Sequence, residues 1–200
     1  KGGMTSIYHR RFYPGDLDAT VADVAPLSFS QADPRYVDFV ENVGGETYRY
    51  CRAKFKHMQA ELLKNRAKFI PQMTGTYEQL GGADVAFEHS VLESHFMFWQ
   101  YKNPDDTDVG CNQIPSDGTP QEMFAYLHKI ASPNDYRDSD LEPFRPYHFQ
   151  AATQLGSPDI GFAHLADLKR YAFDINQYTP KGVKYTYSNE AMHDVAQWVR

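Results

Sequence analysis

Apolar residues recur every three or four positions over several stretches of the chain, a spacing that predicts amphipathic helices. The longest of these stretches covers residues 45–71, and its apolar face consists of Tyr48, Cys51, Phe55, Met58 and Leu62. Lysines and arginines fill the remaining positions, which is typical of a solvated face. Pro71 is expected to end this helix, because a proline in the helix interior removes a backbone hydrogen bond.

Five further helices are predicted from the same spacing and from their start and stop signals. They cover residues 2–12, 34–43, 84–101, 119–130 and 188–199. The clearest start is Thr119 followed by Pro120 and Glu122, which together form a capping box with proline at the first helical position. Asp84 and Ser188 are expected to cap the helices that follow them.

The stretch ATVADVAP, residues 19–26, predicts a short buried strand with Val21 and Val24 as its apolar residues. A helix, a turn and a strand in that order are typical of the second half of an α/β unit. A single strand cannot form a sheet without neighbours. We therefore expect residues 1–29 and 171–200 to be pieces of a sheet domain, with a helical insertion over residues 30–170 between them.

Composition narrows the function classes. The 200 residues carry a net charge of −6, which argues against nucleic-acid binding, since such proteins usually present a basic face. No run approaches the ~20 apolar residues of a membrane span. Cys51 and Cys111 allow either one disulfide or two buried thiols, and the absence of a CxxC pair excludes a zinc ribbon.

The opening residues KGGMT raise a question about what precedes them. In a nucleophile elbow, G-x-S-x-G, the residue after the serine donates its backbone N–H to the oxyanion hole. A serine just before Lys1 would make Lys1 that donor and Gly2 the elbow glycine. The spacing alone is weak evidence, because many helices start with two glycines and no serine.

Several stretches together resemble the secreted bacterial tripeptidyl aminopeptidases, which are serine peptidases of the α/β-hydrolase fold. The resemblance is carried by KGGMTSIYHRRFYP, the strand end VAP, FEHSVLESHFMFWQY, PYHFQAATQLG and AMHDVAQWVR. It implies an α/β-hydrolase fragment: a mostly helical lid flanked by one elbow helix and one sheet strand. Asp23 departs from the family, in which an aromatic residue is usual near that position, and this leaves the burial of the strand open.

The resemblance also implies where the catalytic groups lie and where the protein acts. The chain would run from just after the nucleophilic serine to just before the aspartate of the triad. The aspartate and the histidine would lie beyond Arg200. The protein would be secreted, it would need no cofactor, and the rest of the hydrolase domain would be its partner, without nucleic acid or membrane.

In related proline-type aminopeptidases, acidic residues of the lid bind the α-ammonium of the substrate, since an enclosed cation needs a paired charge. On that basis the substrate-binding candidates are Glu88, Glu93, Trp99 and Tyr101. The alternatives are that both carboxylates face solvent and that Trp99 belongs to the core of the lid. His89 and Glu93, with His95 nearby, have a spacing that metals use, but without HExxH a surface salt bridge is favoured and no metal is predicted.

Two other functions stay open from the sequence. The chain could be a non-catalytic helical module that binds a peptide or a protein through its aromatic surface. It could also belong to an esterase or lipase with the same elbow, which would act on an ester and would need no acidic group for an amine.

Overall fold

The computed structural model describes residues 2–28, 30–158, 161–171, 183, 186 and 188–199. Its α-helices are α1 Gly2–Phe12, α2 Arg35–Asn42, α3 Arg49–Lys64, α4 Arg66–Phe69, α5 Ala83–Tyr101, α6 Pro120–Ile130, α7 Asp138–Leu141, α8 Arg145–Gln150 and α9 Asn189–Val199. Single turns of 3₁₀-helix link several of them, and a π-helix, Ala151–Leu155, follows α8. Two short strands, β1 Ala32–Asp33 and β2 Ser157–Pro158, pair in parallel.

The core of the described residues lies where α3, α5 and α6 meet. Four of the five residues of the predicted apolar stripe are fully inaccessible to solvent there: Cys51, Phe55, Met58 and Leu62. The fifth, Tyr48, precedes α3 and is partly buried against the same core. Rings from different helices stack against one another, as Phe69 and Phe124 do with centroids 4.5 Å apart. Stacked rings of this kind contribute about 0.5–1.5 kcal/mol beyond the area they bury.

The long helix predicted over residues 45–71 is interrupted. α3 ends at Lys64, Asn65 leaves the helical conformation, and α4 starts at Arg66. The break turns Arg66 inward, where it is 2% exposed and reaches across to α5. The apolar stripe alone gave no sign of this interruption.

One disulfide joins Cys51 of α3 to Cys111 in the loop before α6, and both residues are completely buried. The alternative of two thiols is therefore wrong. The bond crosses 60 residues of sequence, and α5 lies entirely within that interval.

The helix starts were predicted with mixed success. The capping box at Thr119 is confirmed, with Glu122 accepting from the Thr119 backbone N–H at 2.7 Å. The prediction that Ser188 caps α9 is also confirmed, since its hydroxyl accepts a hydrogen bond from the backbone N–H of Ala191. Asp84 as an N-cap is wrong: Gly82 occupies that position, and Asp84 lies in the first turn of α5.

The strand predicted over residues 19–26 is absent, and this is the largest local correction. These residues have no regular secondary structure, and Val21 is 92% exposed. Val24 is 78% exposed and has a positive φ of 48°, which a β-branched residue rarely adopts. No described strand lies beside this segment, so its backbone cannot form the ladder that a strand requires.

The helices from the two ends of the chain pack against each other. Arg11 of α1 forms an ion pair with Asp194 of α9 at 2.8 Å, and the Tyr8 hydroxyl donates to Met192 Sδ at 3.1 Å. None of the helices in the described ranges combines the length and apolar character needed to cross a bilayer.

Candidate functional site

A cleft of about 630 Å³ opens between the segment after α1, α2, α5 and α9. Its walls are largely apolar, and they consist of Ala25, Pro26, Leu27, Arg35, Tyr36, Phe39, Phe96, Gln100, Ala196 and Val199. The rings of Tyr36 and Phe96 meet at 5.8 Å, so α2 and α5 enclose the cleft through aromatic contacts. A cleft with this volume and lining suits a small apolar ligand.

Glu93 lies on the same face of α5 as the residues that line the cleft. Residues 93, 96 and 100 are spaced by three and four positions, which brings them onto one side of a helix. Burial raises the pKa of the Tyr147 phenol, and Tyr101, Tyr36 and the Glu93 carboxylate raise it further, which indicates that Glu93 and Tyr36 both lie near Tyr147. Glu93 itself is not among the residues that line the cleft, and what relates it to the cleft is the helix face that it shares with Phe96 and Gln100.

The Glu93 carboxylate has no hydrogen bond or ion pair with another described residue. The residue is half-buried, and burial raises the pKa of its carboxyl from 4.5 to about 7. A carboxylate that is half-buried, reachable and without a counter-charge binds a cation favourably, because part of the cost of its desolvation is already incurred.

Glu88 has a different environment, although it lies only five residues earlier on α5. It is 1% exposed, and it accepts from Arg66 Nη2 at 2.6 Å. The backbone N–H groups of Arg170 and Tyr171 donate to the same carboxylate at 3.0–3.2 Å. Glu88 is therefore not solvent-facing, and its oxygens are already occupied by donors of this chain.

Asp84 completes this buried cluster. It accepts from Arg66 Nη1 at 2.9 Å and from the Tyr171 hydroxyl at 2.9 Å, and Arg170 lies 3.2 Å away. Burial raises the pKa of Asp84, but the hydrogen bonds from Arg66 and Tyr171 outweigh it and hold the pKa below 3.8. The cluster joins α4 and α5 to the segment around residue 170.

The two aromatic candidates lie apart from each other. Trp99 packs on the core side of α5, with its ring 5.7 Å from that of Tyr48 and 6.4 Å from that of His95, and it does not line the cleft. Tyr101 is 63% exposed at the end of α5, near Tyr147, whose pKa it raises. Of the four substrate-binding candidates, only Glu93 and Tyr101 are on the side of Tyr147.

His89, Glu93 and His95 have a spacing that metals use, but they do not form a metal site in the structure. His95 is buried on the core side, where its ring stacks on Phe55 at 5.0 Å. Across the described ranges, no three metal-ligating side chains come together. Burial lowers the pKa of His95 to about 3 and that of His89 to about 4, so both rings are neutral at pH 7.

The start of α1 lies next to the cleft, while Lys1 itself lies outside the described residues. A Cβ on Gly3 would lie 2.5 Å from the Asp23 carbonyl oxygen and 3.0 Å from the Ala25 Cβ. Gly3 therefore permits a close approach that no other residue allows. A Cβ on Gly2 would meet nothing, so the glycine that this packing needs is Gly3. Because Ala25 lines the cleft, the first turn of α1 borders its wall.

Sequence reasoning missed the cleft residues contributed by α2 and the role of Arg66. Tyr36 and Phe39 lie in a short helix that mixes apolar and charged residues. Their spacing does not indicate which other element they pack against. The interruption at Asn65 is a weak signal that could have drawn attention to Arg66, because a cation directly after a helix break is free to turn inward.

Comparison with known proteins identifies the family. The family model described as PS-10 peptidase S37 matches residues 1–200. The chain is 37% identical over 212 residues to the prolyl tri/tetrapeptidyl aminopeptidase of Streptomyces mobaraensis, and the match covers all of this chain and 43% of that protein. No solved structure matches the chain. The chain thus spans less than half the length of this curated relative, and it belongs to the S37 family of peptidases.

Proposed function

We propose that the chain supplies the amine-binding part of a serine aminopeptidase that releases short peptides, chiefly tripeptides, from free N-termini. Membership of a peptidase family supports hydrolysis of peptides. The relative from Streptomyces mobaraensis is named as a tri/tetrapeptidyl aminopeptidase. The observation that carries the proposal is Glu93, a half-buried carboxylate without a partner in the described part, on the same face of α5 as the cleft residues Phe96 and Gln100.

Glu93 would bind the α-ammonium group of the substrate. The cation favours the ionised carboxylate and so lowers its pKa from the value of about 7 that burial gives it. The aromatic walls formed by Tyr36 and Phe96 would hold the apolar side chains that follow. An acetylated N-terminus carries no charge and would leave the Glu93 carboxylate unpaired, which explains how a free N-terminus is selected.

The acyl-transfer step would occur at the other end of the cleft. A serine immediately before Lys1 would attack the scissile carbonyl, and the backbone N–H of Lys1 would support the oxyanion. A histidine beyond Arg200 would accept the serine proton and then pass it to the leaving amine, while an aspartate orients that histidine. The close approach of Gly3 to the cleft wall at Ala25 supports this placement.

The remainder of an α/β-hydrolase domain would be the partner of this chain, with residues 30–170 as its lid. The segment over residues 19–26 supports that arrangement, because Val21 and Val24 have strand-like residue types and yet are exposed. A neighbouring strand would pair with the backbone of this segment, and layers packed on the two faces of that sheet would cover the two side chains. Secretion of the whole protein belongs to the same proposal.

The test uses the full-length protein that the proposal requires, with fluorogenic peptides that differ only in a free or an acetylated N-terminus. We expect a preference for the free N-terminus of roughly 10- to 100-fold in kcat/KM, the range of a charge-assisted contact. Glu93→Gln should remove most of that preference, and Glu78→Gln, a change at an exposed position, should preserve it.

Two results would contradict the proposal in different ways. Equal turnover of both peptides by the unmodified protein would overturn the hypothesis that the protein is an exopeptidase. A preference that persists in Glu93→Gln would move the amine-binding role to another residue.

A further inference from the structure

We propose that Gln100 is a specificity-determining residue, which binds a backbone amide of the substrate three residues from the amine at Glu93 and so sets the length of the released peptide. The inference rests on the proposed function, since it needs Glu93 as the fixed point from which the length is measured. It adds a second contact whose position decides which peptide bond reaches the reacting end of the cleft.

Gln100 lies in the last turn of α5 and lines the cleft together with Phe96. It follows Glu93 by seven residues, or two helical turns, and therefore shares its face. The ring of Phe96 lies between the two polar side chains. A substrate held along this face would thus meet a carboxylate, an aromatic surface and a carboxamide in that order.

The chemistry of Gln100 fits a peptide group. Its carboxamide offers donors and an acceptor at once, which is what a peptide unit of the substrate needs. Most other residues of the cleft wall are apolar, so a peptide group enclosed there without a partner would lose free energy. The Gln100 side chain forms no hydrogen bond to any described residue and the residue is exposed, so its carboxamide can turn toward a ligand.

The distance between the two polar groups corresponds to three substrate residues. Seven residues of helix rise by about 10.5 Å. Glu and Gln side chains have the same length and lean in the same direction on a helix, so their end groups are separated by about that rise. Three residues of extended chain span about 10 Å. With the amine at Glu93, Gln100 would therefore be level with the third peptide unit.

Arg35 is the charged residue of the cleft lining, and its guanidinium is bound to groups of this chain. It donates to both oxygens of the buried Asp33 at 2.5–3.2 Å and to the Leu27 carbonyl oxygen at 2.7 Å. These bonds fix the start of α2 to the segment that forms the opposite wall. Arg35 thus holds two walls of the cleft together, while the Gln100 side chain is available to form hydrogen bonds with a substrate backbone.

The experiment measures length selectivity in the full-length protein. Free N-terminal fluorogenic peptides that release two, three or four residues, with the same residue before the scissile bond, are compared in Gln100→Ala and in Gln121→Ala, an exposed control on α6. We expect Gln100→Ala to lower kcat/KM about tenfold for the three-residue unit, the value of one lost hydrogen bond in an enclosed site. The other two lengths should change less, and the preference for a free over an acetylated N-terminus should persist.

A length profile that is unchanged in Gln100→Ala, with the amine preference intact, would overturn the role of Gln100 and leave the proposed function standing. If the unmodified protein shows no amine preference, the proposed function fails, and the inference fails with it. Gln100→Met keeps the side-chain length and removes the hydrogen bonds. It therefore decides the result if thermal melting shows that the alanine variant is destabilised.

Discussion

Glu88 and Glu93 stand five residues apart on α5, and the structure gives them opposite environments. Glu88 lies in a cluster of arginine side chains and backbone N–H groups that satisfies its carboxylate. Glu93 is enclosed too, but it has no partner among the described residues, and burial raises its pKa to about 7. One carboxylate is satisfied by groups of the fold, and the other has no counter-charge in the described part of the chain.

The difference teaches that the position of a charge on a helix does not reveal its role. Five residues rotate the helix by about 140°, so the two side chains necessarily face different neighbours. Those neighbours come from distant parts of the sequence: Arg66 from α4 and Arg170 from a segment 82 residues after Glu88. The contrast can be tested by removing each carboxylate in turn.

The largest effect is expected from Glu88→Gln. The change leaves Arg66, which is 2% exposed, without its closest charge, and breaking a buried ion pair costs about 3 kcal/mol or more. Urea unfolding of the full-length protein should show this loss as a lower midpoint. The exposed control Glu78→Gln should stay within about 0.5 kcal/mol of the unmodified protein. Equal urea midpoints for Glu88→Gln and Glu78→Gln would show that the Glu88 carboxylate does not stabilise the fold.

Glu93→Gln should have a smaller effect on stability and of the opposite sign. The pKa of Glu93 is higher in the folded protein than its ordinary value of 4.5. The folded state therefore binds more protons between about pH 4.5 and 7, and the contribution of Glu93 to stability falls as the pH rises through that window. The glutamine variant should melt up to about 2–4 °C higher than the unmodified protein at pH 8.

The same comparison at pH 4.5 serves as the control for Glu93→Gln. There the Glu93 carboxyl is protonated in the folded protein, so the two melting temperatures should coincide. If the difference in melting temperature is the same at both pH values, burial does not raise the pKa of Glu93. Glu88 and Glu93 would then differ only in their hydrogen bonds.

The smallest effect is expected from Tyr171→Phe. The phenol donates to Asp84 at 2.9 Å from a position near the surface, where the lost hydrogen bond can be replaced by water. We expect a loss below about 1 kcal/mol in the free energy of unfolding. A loss as large as that of Glu88→Gln would mean that the rim of the cluster, and not the Arg66–Glu88 pair, holds it together.

The helices that have a strong local signal were predictable from the sequence. The stripe of α3 and the capping box of α6 depend on residues within a few positions of one another, so their physics is local. The strand at residues 19–26 was wrong because a strand depends on a neighbour, and the residue types of Val21 and Val24 cannot supply one.

The candidate site was predictable only in part. A carboxylate beside aromatic residues on α5 pointed to Glu93, but the same reasoning pointed equally to Glu88. What separates them is which distant segments fold against each face of the helix, and no local pattern encodes that. Trp99 does not line the cleft for a related reason: its ring packs against Tyr48 and the core.

The disulfide between Cys51 and Cys111 has a consequence for how the chain responds to proteolysis. Every peptide bond from one cysteine to the other lies in a covalently closed ring, and α5 with both of its glutamates is inside that ring. A single cut in any exposed turn of that interval leaves the two resulting ends joined through sulfur. Helix α5 therefore stays attached to the rest of the chain after a nick that would release it if the crosslink were absent.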